Sequence, residues 1–495
     1  MDAEQIAALG SELTDFLSGF ADCFGRSEAR DHLRTYVAGQ LSDLPRKSIE
    51  PMALAGGTPP RTLQRFVESI RWDERRLRDK QQRLVAREHA DPEAIGVIDE
   101  SGNPKKGRHT AAVQHQWCGN TGKVDHCVVG VHLGYVVGDF QCLLDSDLFL
   151  PKDWAQDPIR RAEAFIPDDV VYRKKTTIAL AQIEHALGNG IRVWAWTFDE
   201  LYGRDGEFLD GLESLGQNYV GEVPCTFTGW LYEPEVLIRP TPESRRNPGQ
   251  TPRFPRLAKK TPSPSQVRNL VTCSRVFQKQ RWKPFHIKEG ENGPMVWEVK
   301  FAPFYRKRAD GLPGPAGGLI VARNVLNREE VKYFVSNRCP GSGGVTLEGL
   351  LRVGFSRWPI ERCFEQAKNE LGMDHFEVRG WRSIHRHLYL TQLSHLFCAR
   401  VQQRLREKKR PIRSTSPWNK FAWPLPRAST HEPCHPRPGA ESAKPLRHAS
   451  RITSTATNRH DNRTPEPCCT DSDNSASNPL NSPLACRVTH DHVAL

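Results

Sequence analysis

The sequence predicts an α/β fold in which helices flank a mixed β-sheet. Between residues 94 and 223, short apolar runs typical of strands alternate with segments of helical periodicity. Strands separated by helices in this way favour a sheet that is covered by helices. No apolar run approaches the roughly 18 residues that a membrane span needs, so the sequence excludes a membrane-spanning protein.

Residues 1–90 are predicted to form an N-terminal helical domain. Apolar side chains recur over 63–70 at the spacing of one helix face, after the start signal Thr58-Pro59-Pro60. The following stretch, 71–87, is dense in Arg, Lys, Asp and Glu. A solvated helix face is the ordinary interpretation of such a stretch, and a DNA-contacting helix is the alternative.

Residues 91–239 are predicted to form the first part of the sheet domain, with elements in the order β-β-β-α-β-α-β. The strands are expected at 94–99, 109–118, 126–137, 193–198 and 219–223, and the helices at 176–187 and 207–215. The first strand ends at Asp99, and the strand after the first helix ends just before Asp199.

Two further segments complete the predicted domain. Residues 240–344 begin with a Pro-rich basic linker, Pro240–Gln266, and continue as a strand-rich insertion. Its strands are expected at 296–301, 319–322 and 332–335. Residues 345–409 are strongly helical, and Trp358-Pro359 should end or kink one of these helices because proline lacks a backbone N–H.

The last segment, 410–495, differs in composition from the rest. It holds 12 of the 37 prolines, many Ser, Thr, His and Asn residues, and no apolar periodicity. A disordered tail is predicted, because such a composition buries too little apolar surface to offset the entropy of ordering. Four cysteines scattered through the tail lead to the hypothesis that it is read out of frame.

Charge and cysteine content narrow the partners and the compartment. Lys and Arg total 70 against 58 Asp and Glu, a formal net charge of +12 that favours a polyanionic partner. The first 19 residues carry four acids instead of the basic and apolar regions of a signal peptide, which indicates the cytoplasm. The 13 cysteines include no C-x-x-C pair and are expected to be reduced thiols.

Three carboxylates stand out by their position: Asp99 and Asp199 at strand ends, and Glu361 in the late helical region. Mg²⁺ prefers oxygen ligands, and two ions about 3.5–4 Å apart can activate an attacking oxygen and stabilise a leaving one. Each acid taken alone is equally well explained as an ordinary surface carboxylate. The order of the elements, together with the third acid, favours a metal site.

Three stretches resemble the catalytic segments of bacterial insertion-sequence transposases, which are D-D-E enzymes with an RNase H-like core. They are residues 95–136 (beginning IGVIDESGNPKKG), 196–220 (beginning WTFDELYG) and 355–388 (beginning FSRWPIERCFEQAK). The chain most resembles the insertion sequence 701 group, which is related to the Y-R-E-K transposases. The resemblance covers residues 20–408, including RKSIEPMA at Arg46–Ala53, and it implies an RNase H-like mixed sheet.

The resemblance assigns Asp99, Asp199 and Glu361 to a catalytic triad that holds two Mg²⁺ ions, for which Mn²⁺ would substitute. The signature Y-x2-R-x3-E-x6-K, placed on Glu361, also matches Arg357 and Lys368. Both side chains are expected to neutralise DNA phosphates, and ion pairing within the helix is the alternative.

Two features near the motifs complete the predicted site. The Tyr position of the signature falls on Gly354, with Phe355 beside it. Lys105 and Lys106 follow the first acid on a turn and are predicted to hold backbone phosphate, with a solvated loop as the alternative.

The function that the resemblance implies is DNA transposition. Hydrolysis at the transposon end would free a 3′-OH, which would then attack target DNA. The expected partners are DNA, as terminal inverted repeats and as target, and further copies of the chain, with no membrane. The expected location is the bacterial cytoplasm, in association with the nucleoid. Two alternatives stay open: an RNase H-like nuclease, and an inactive DNA-binding remnant of a transposase.

Overall fold

The structure, a computed structural model, describes residues 3–240, 253–290, 293–341 and 343–409. The N-terminal helices are α1 (Ala3–Ser18), a short 3-10 helix (Ala21–Cys23), α2 (Ser27–Leu41), α3 (Ile49–Ala55), α4 (Pro60–Glu68) and α5 (Glu74–Glu88). The later helices are α6 (Lys152–Ala155), α7 (Pro158–Glu163), α8 (Lys175–Gly188), α9 (Glu200–Gly203), α10 (Gly206–Ser214), α11 (Val267–Cys273), α12 (Arg275–Gln278), α13 (Leu347–Gly354), α14 (Trp358–Asn369) and α15 (Trp381–Lys409). The predicted tail, 410–495, lies outside the described residues, as does part of the predicted linker.

The strands form one large mixed sheet and a separate two-stranded ladder. They are β1 (Ile95–Pro104), β2 (Gln114–Cys118), β3 (Lys123–Val137), β4 (Phe140–Leu148), β5 (Ala195–Phe198), β6 (Tyr219–Val223), β7 (Thr228–Trp230), β8 (Val236–Pro240), β9 (Arg253–Leu257), β10 (Ser265–Gln266), β11 (Lys283–Gly290), β12 (Gly293–Lys307), β13 (Pro313–Asn324) and β14 (Val331–Ser336). The large sheet has the order β10-β7-β12-β13-β14-β6-β5-β1-β3-β2, with β11 beside β12 and β4 beside β3. β8 pairs with β9.

The centre of the sheet has the predicted RNase H-like arrangement. β1, β3 and β4 are antiparallel, whereas β5 pairs in parallel with both β1 and β6. The two faces bury different side chains, because successive residues of a strand point to opposite sides: Ile98 belongs to one apolar cluster, and Ile95 and Val97 belong to the other. The second cluster includes the buried faces of α13 and α14. The predicted α/β class, a mixed sheet with flanking helices, is confirmed.

The N-terminal helices share an apolar core with the sheet. One cluster runs from Phe16 through Phe66 to strand residues such as Leu133 and on to Leu393 in α15. Polar contacts support the same packing: Tyr36 Oη lies 2.7 Å from His387 Nδ1 in α15. The helical character predicted for the N-terminus agrees with α1 to α5, while the boundary at residue 90 stays a prediction.

The strand-rich insertion extends the sheet. β14 pairs antiparallel with β6, and β13 and β12 follow in order. The strands predicted for this region lie within β12, β13 and β14, which are longer than predicted. The segment after residue 345 divides into α13, α14 and α15. Pro359 stands in the first turn of α14, where the missing N–H costs no intrahelical hydrogen bond.

Several details differ from the sequence prediction, and among them β9 and β10 lie within the predicted linker. Residues 109–113 are not a strand: Ala112 has a φ of 63°, and the Ala111 N–H donates to the Arg379 carbonyl. β4 was not predicted, because its sequence FQCLLDSDL has neither β-branched residues nor a simple alternation.

Two observations bear on membranes and thiols. Within the described ranges, no helix is both long and apolar enough to cross a bilayer. The cysteines of the same ranges are free thiols, and Cys118, Cys127 and Cys142 are among the buried ones.

Candidate active site

The first two acids lie side by side where the parallel strands β1 and β5 diverge. The last paired residues are Val97 and Thr197, and Asp99 and Asp199 each follow two residues later. Neighbouring parallel strands carry equivalent positions to the same edge of a sheet. The alternation of β1 places Asp99 on the face of Ile95 and Val97, the face that α13 and α14 cover.

Both aspartates are held by backbone N–H groups. Asp99 Oδ1 accepts a hydrogen bond from the Glu100 N–H at 2.8 Å. Asp199 is the N-cap of α9, and its Oδ1 accepts from the N–H groups of Leu201 at 2.9 Å and Tyr202 at 3.4 Å. An Asp at this position satisfies otherwise unpaired donors of the first turn. The two carboxylates therefore have fixed orientations at the edge of the sheet.

The third acid comes from α14, which lies across the β1–β3–β4 part of the sheet. Ile360 packs against Gly134, where an added Cβ would stand 3.1 Å from the Ile360 side chain. Phe364 meets the ring of His132 at 5.0 Å. This packing turns Glu361, about half exposed, toward the rim of the sheet near Asp99.

One guanidinium joins the acids. Arg357 Nε lies 3.8 Å from Asp99 Oδ2, and Arg357 Nη2 lies 3.3 Å from Glu361 Oε1. Arg357 Nη1 lies 3.9 Å from Glu222 Oε2 on β6. The structure thus brings Asp99, Glu361 and Arg357 together, with Asp199 on the adjacent strand.

The pKa values report the crowding of negative charge. Burial raises the pKa of Asp99 to about 7; Asp199 and Glu361 add to the rise, and Arg357 opposes it. Burial lowers the pKa of the Arg357 guanidinium, but Asp99, Asp199, Glu222 and Glu361 together raise it above its ordinary value. The site is a partly desolvated group of acids with one cation among them.

Comparison with known proteins identifies the family. Residues 19–294, more than half of the chain, match the family described as DDE superfamily endonuclease. The chain belongs to this family. The match includes Asp99 and Asp199 and ends before Glu361. The resemblance to D-D-E enzymes that the sequence shows is confirmed.

Two named proteins are similar to this chain. The "Probable transposase for insertion sequence element IS701" of Microchaete diplosiphon is 29% identical over 184 residues, which cover 37% of this chain and 46% of the relative. The chain thus spans less than half the length of that curated relative. A solved structure, "Cryo-EM structure of piggyBac transposase synaptic complex with hairpin DNA", has a TM-score of 0.35 and 9% identity, covering 78% of this chain and 68% of that chain.

The predicted basic residues of this chain occupy different environments. Lys368 Nζ points back to the Gly102 carbonyl of β1 at 3.4 Å, and burial lowers its pKa. Lys105 Nζ donates to the carbonyls of Asp374 and Phe376 at 2.9 and 2.8 Å, and burial lowers its pKa to about 8. Lys106 is exposed on the turn after β1. Of the two lysines predicted on this turn, Lys106 is the more accessible to phosphate.

The glycine at the Tyr position of the signature has a steric explanation. Gly354 ends α13, and a Cβ added there would meet the Phe334 ring at 3.2 Å and Val220 at 3.3 Å. A larger side chain would need those neighbours to move. The Gly at this position therefore allows α13 to approach the sheet closely.

The motif at Arg46–Ala53 anchors the far end of α14. Lys47 Nζ donates to the carbonyls of Gln40 at 2.9 Å, Ser42 at 2.6 Å and Glu370. Glu370 is the C-cap of α14, where carbonyl dipoles attract a cation. The Lys47 N–H also donates to His375 Nδ1 at 3.0 Å. The N-terminal segment therefore fixes the helix that carries Glu361.

Two charged contacts near the acids were not predicted from sequence. Glu222 of β6 faces Arg357 and also pairs with Lys332 Nζ at 3.1 Å. Glu100, next to Asp99, pairs with Lys175 Nζ at 2.6 Å. The sequence does contain a signal for the Glu222 contact, because a glutamate stands on the strand that follows Asp199. The second joins residues far apart in sequence, and no motif marks it.

The donor chemistry of the site suits a hard divalent cation. Carboxylate oxygens of Asp99, Asp199 and Glu361 are the ligand type that Mg²⁺ and Mn²⁺ prefer. Within the described ranges, no three His, Cys, Asp or Glu side chains already lie close enough together to form a metal site. The acids fit a cation by chemistry, and the Arg357 guanidinium lies among them in this arrangement.

Proposed function

We propose that this DDE endonuclease is a transposase that cleaves DNA at transposon ends and transfers the freed strand into target DNA. The observation that carries the proposal is the convergence of Asp99 and Glu361 on one guanidinium, with Asp199 on the adjacent parallel strand. The similarity to a relative described as an insertion-sequence transposase supports it.

Asp99, Asp199 and Glu361 are the residues that would hold the divalent ions. Mg²⁺, or Mn²⁺ in its place, would supply Lewis acidity for the attacking and leaving oxygens of the phosphodiester. The N-cap position of Asp199 and the Glu100 N–H at Asp99 keep two carboxylates oriented before substrate arrives. Because the site is partly desolvated, each electrostatic interaction within it is stronger than it would be in water.

DNA is the proposed partner, and basic residues position it. Arg357 offers a planar guanidinium that can bind a phosphate with two N–H groups once it leaves the acids. Lys368 of α14 and Lys106, on the turn after β1, add positive charge near the end of β1. Lys105 holds the segment after α14 through its hydrogen bond to the Asp374 carbonyl. Assembly of several copies on the two transposon ends is part of the proposal.

The test is cleavage of a labelled duplex that carries the inverted repeat flanking the reading frame. Wild-type protein with Mg²⁺ or Mn²⁺ should cut at the end of the repeat and join the strand to a target plasmid. Asp199→Ala should bind the duplex in a gel shift but not cut it. Glu361→Gln should behave in the same way, whereas Glu365→Gln, one turn further along α14 and exposed, should cut normally.

Each other outcome points to a different function. Cleavage without strand joining would indicate an RNase H-like nuclease. Binding without cleavage under every metal condition would indicate an inactive remnant. Cleavage by Asp199→Ala, or by the wild type in excess chelator, would overturn the proposed metal-dependent mechanism.

A further inference from the structure

A groove beside the candidate active site carries more cations than acids. It has a volume of about 880 Å³ and lies between the start of α8, the junction of α9 and α10, and the turn between β12 and β13. Five basic side chains and two acids line it: Lys174, Lys175, Arg204, Lys307 and Arg308, with Asp205 and Glu207. The groove is therefore positive overall.

The two acids of the groove are hydrogen-bonded or ion-paired to other residues that line it. Asp205 caps α10, accepting from the N–H groups of Glu207 and Phe208, and it also accepts from Thr176 Oγ1 at 2.7 Å. Glu207 pairs with Lys174 Nζ at 2.7 Å. The positive charge that remains comes from the other side of the groove.

The cations on that side are exposed and loosely paired. Arg308 lies 3.4 Å from Asp210, and Arg204 lies 3.9 Å from Glu200. Lys307, the last residue of β12, is exposed next to Arg308. Exposed ion pairs contribute little free energy, so a phosphate can compete for these side chains.

The groove borders residues that contact or adjoin the candidate acids. Leu201 lines it, and the Leu201 N–H donates to Asp199 Oδ1. Lys175 also lines it and pairs with Glu100, the neighbour of Asp99. The groove therefore lies next to the segments that carry Asp99 and Asp199.

Two aromatic rings complete the lining. Phe149 and Tyr172 meet edge to face with ring centroids 6.1 Å apart, and both line the groove. Tyr172 is partly exposed, and Lys152 Nζ lies 5.0 Å from its ring. A positive groove with an accessible aromatic ring is the combination that binds unpaired nucleic-acid strands, because bases stack and phosphates pair with cations.

We propose that the groove binds a short unpaired DNA strand leaving the cleavage site, with phosphates on Lys307 and Arg308 and a base on Tyr172. The volume lies in the range of small-ligand pockets, roughly 300–1,000 Å³, which suits a short strand better than a duplex. The inference rests on the proposed function, because an enzyme that cleaves DNA at these acids produces such a strand.

The experiment is fluorescence anisotropy without divalent ions, over a series of salt concentrations. The probes are a blunt duplex and the same duplex with a short single-stranded tail. Wild-type protein should bind the tailed duplex about fivefold more tightly or better, the effect of one stacked base. Tyr172→Ala should lose this preference. Lys307→Glu/Arg308→Glu should lower the slope of log affinity against log salt on the tailed duplex by about 1.4, two contacts at about 0.7 each.

The controls separate local from general electrostatics. Lys279→Glu/Arg281→Glu makes the same change of charge at exposed positions outside the groove lining and should keep the tail preference. Lys307→Gln/Arg308→Gln, checked by its melting curve, repeats the test without placing acids near Asp210. Equal loss on blunt and tailed duplexes would overturn the inference, as would a wild type with no tail preference.

Failure of this inference can be told apart from failure of the proposed function. Binding is measured without metal, so a protein that never cuts DNA can still show the tail preference. A protein that cuts and joins transposon ends but shows no tail preference would overturn the groove proposal alone.

Discussion

Two pairs of aspartates in one sheet have different surroundings. Asp145 and Asp147 of β4 pair with arginine and histidine side chains, whereas Asp99 has one guanidinium 3.8 Å away and Asp199 accepts from backbone N–H groups. Asp145 is 0% exposed and Asp99 is 8% exposed, so burial does not distinguish them. What distinguishes them is the number of close cationic side chains, and that number separates a structural acid from one available to a ligand.

The β4 pair is fully partnered. Asp145 accepts from Arg78 Nε at 3.0 Å and Nη2 at 2.6 Å, and His185 Nδ1 lies 3.4 Å away. Asp147 pairs with His385 at 2.9 Å and Arg173 at 2.7 Å. Burial alone would raise the pKa of Asp145, but Arg78 and His185 bring it below its ordinary value. These contacts tie β4 to α5, α8 and α15.

The largest expected effect is on DNA cleavage, at the site of Asp99, which has only one nearby cationic side chain among the described residues. Asp99→Asn should lower cleavage by about 10³-fold or more, because an amide is a poorer ligand for a hard cation and loses a charge near the reacting phosphate. Its unfolding free energy should not fall near neutral pH, because burial raises the pKa of Asp99 and its charge therefore opposes folding, while its side chain gives up one short hydrogen bond, from the Glu100 N–H. Cleavage assays and urea titrations on the same preparations measure both quantities. A strongly destabilised Asp99→Asn would remove the contrast between the two sites.

The next effect is on stability at the partnered site. Asp145→Asn should cost about 3–5 kcal/mol of unfolding free energy, because it leaves the Arg78 guanidinium without its counter-ion. Glu184→Gln, at an exposed position of α8, is the control and should be close to neutral. Removing both partners in Asp145→Asn/Arg78→Met should restore part of the loss. If Asp145→Asn unfolds like the wild type, the ion network around β4 is not what fixes these helices.

The contrast between the two pairs also marks what sequence could predict. Asp99 and Asp199 were predictable because each follows a recognisable apolar strand, and Glu361 because Arg357 and Lys368 stand at motif spacing around it. The role of Asp145 was not predictable, because its strand lacks a strand-like pattern. Its partners Arg78 and His185 lie 67 and 40 residues away, so no local spacing relates them.

The same limit applies to the ends of the catalytic helix. Trp358-Pro359 predicts the end or kink of a helix, and the structure instead places Pro359 in the first turn of α14, after α13 has ended at Gly354. Nothing in the sequence around α14 predicts that Lys47, 323 residues before Glu370, supplies the cation at its C-terminus. The strand character of the insertion was readable from Val-rich runs, but its continuity with the catalytic sheet depends on pairing between β14 and β6, which a single sequence does not encode locally.

A smaller effect is the pH dependence of stability at Asp147. Burial raises its pKa, but His385 and Arg173 outweigh burial and lower it to about 2, against about 3.9 in an unfolded chain. The unfolded state therefore binds the proton more readily, so the stabilisation is present above pH 4 and is lost as the pH falls through 2. It amounts to about 2 kcal/mol. The difference in unfolding free energy between wild type and Asp147→Asn should shrink over this window; a constant difference would contradict the assignment.

The smallest expected effect concerns the cation of the poorly partnered site. Arg357→Ala should lower the melting temperature only slightly, because its ion pairs with Asp99 and Glu222 are 3.8 and 3.9 Å long and its shortest pair, at 3.3 Å, is with the half-exposed Glu361. Loss of one phosphate contact should lower the salt slope of DNA binding by about 1 and reduce cleavage. Lys368→Ala should act in the same direction. Arg362→Ala, on the same helix with its guanidinium near the Trp358 ring, is the matched control. If Arg357→Ala and Lys368→Ala both bind and cleave like Arg362→Ala, neither basic residue of the signature acts on DNA in this chain. The site would then be described by its three acids alone.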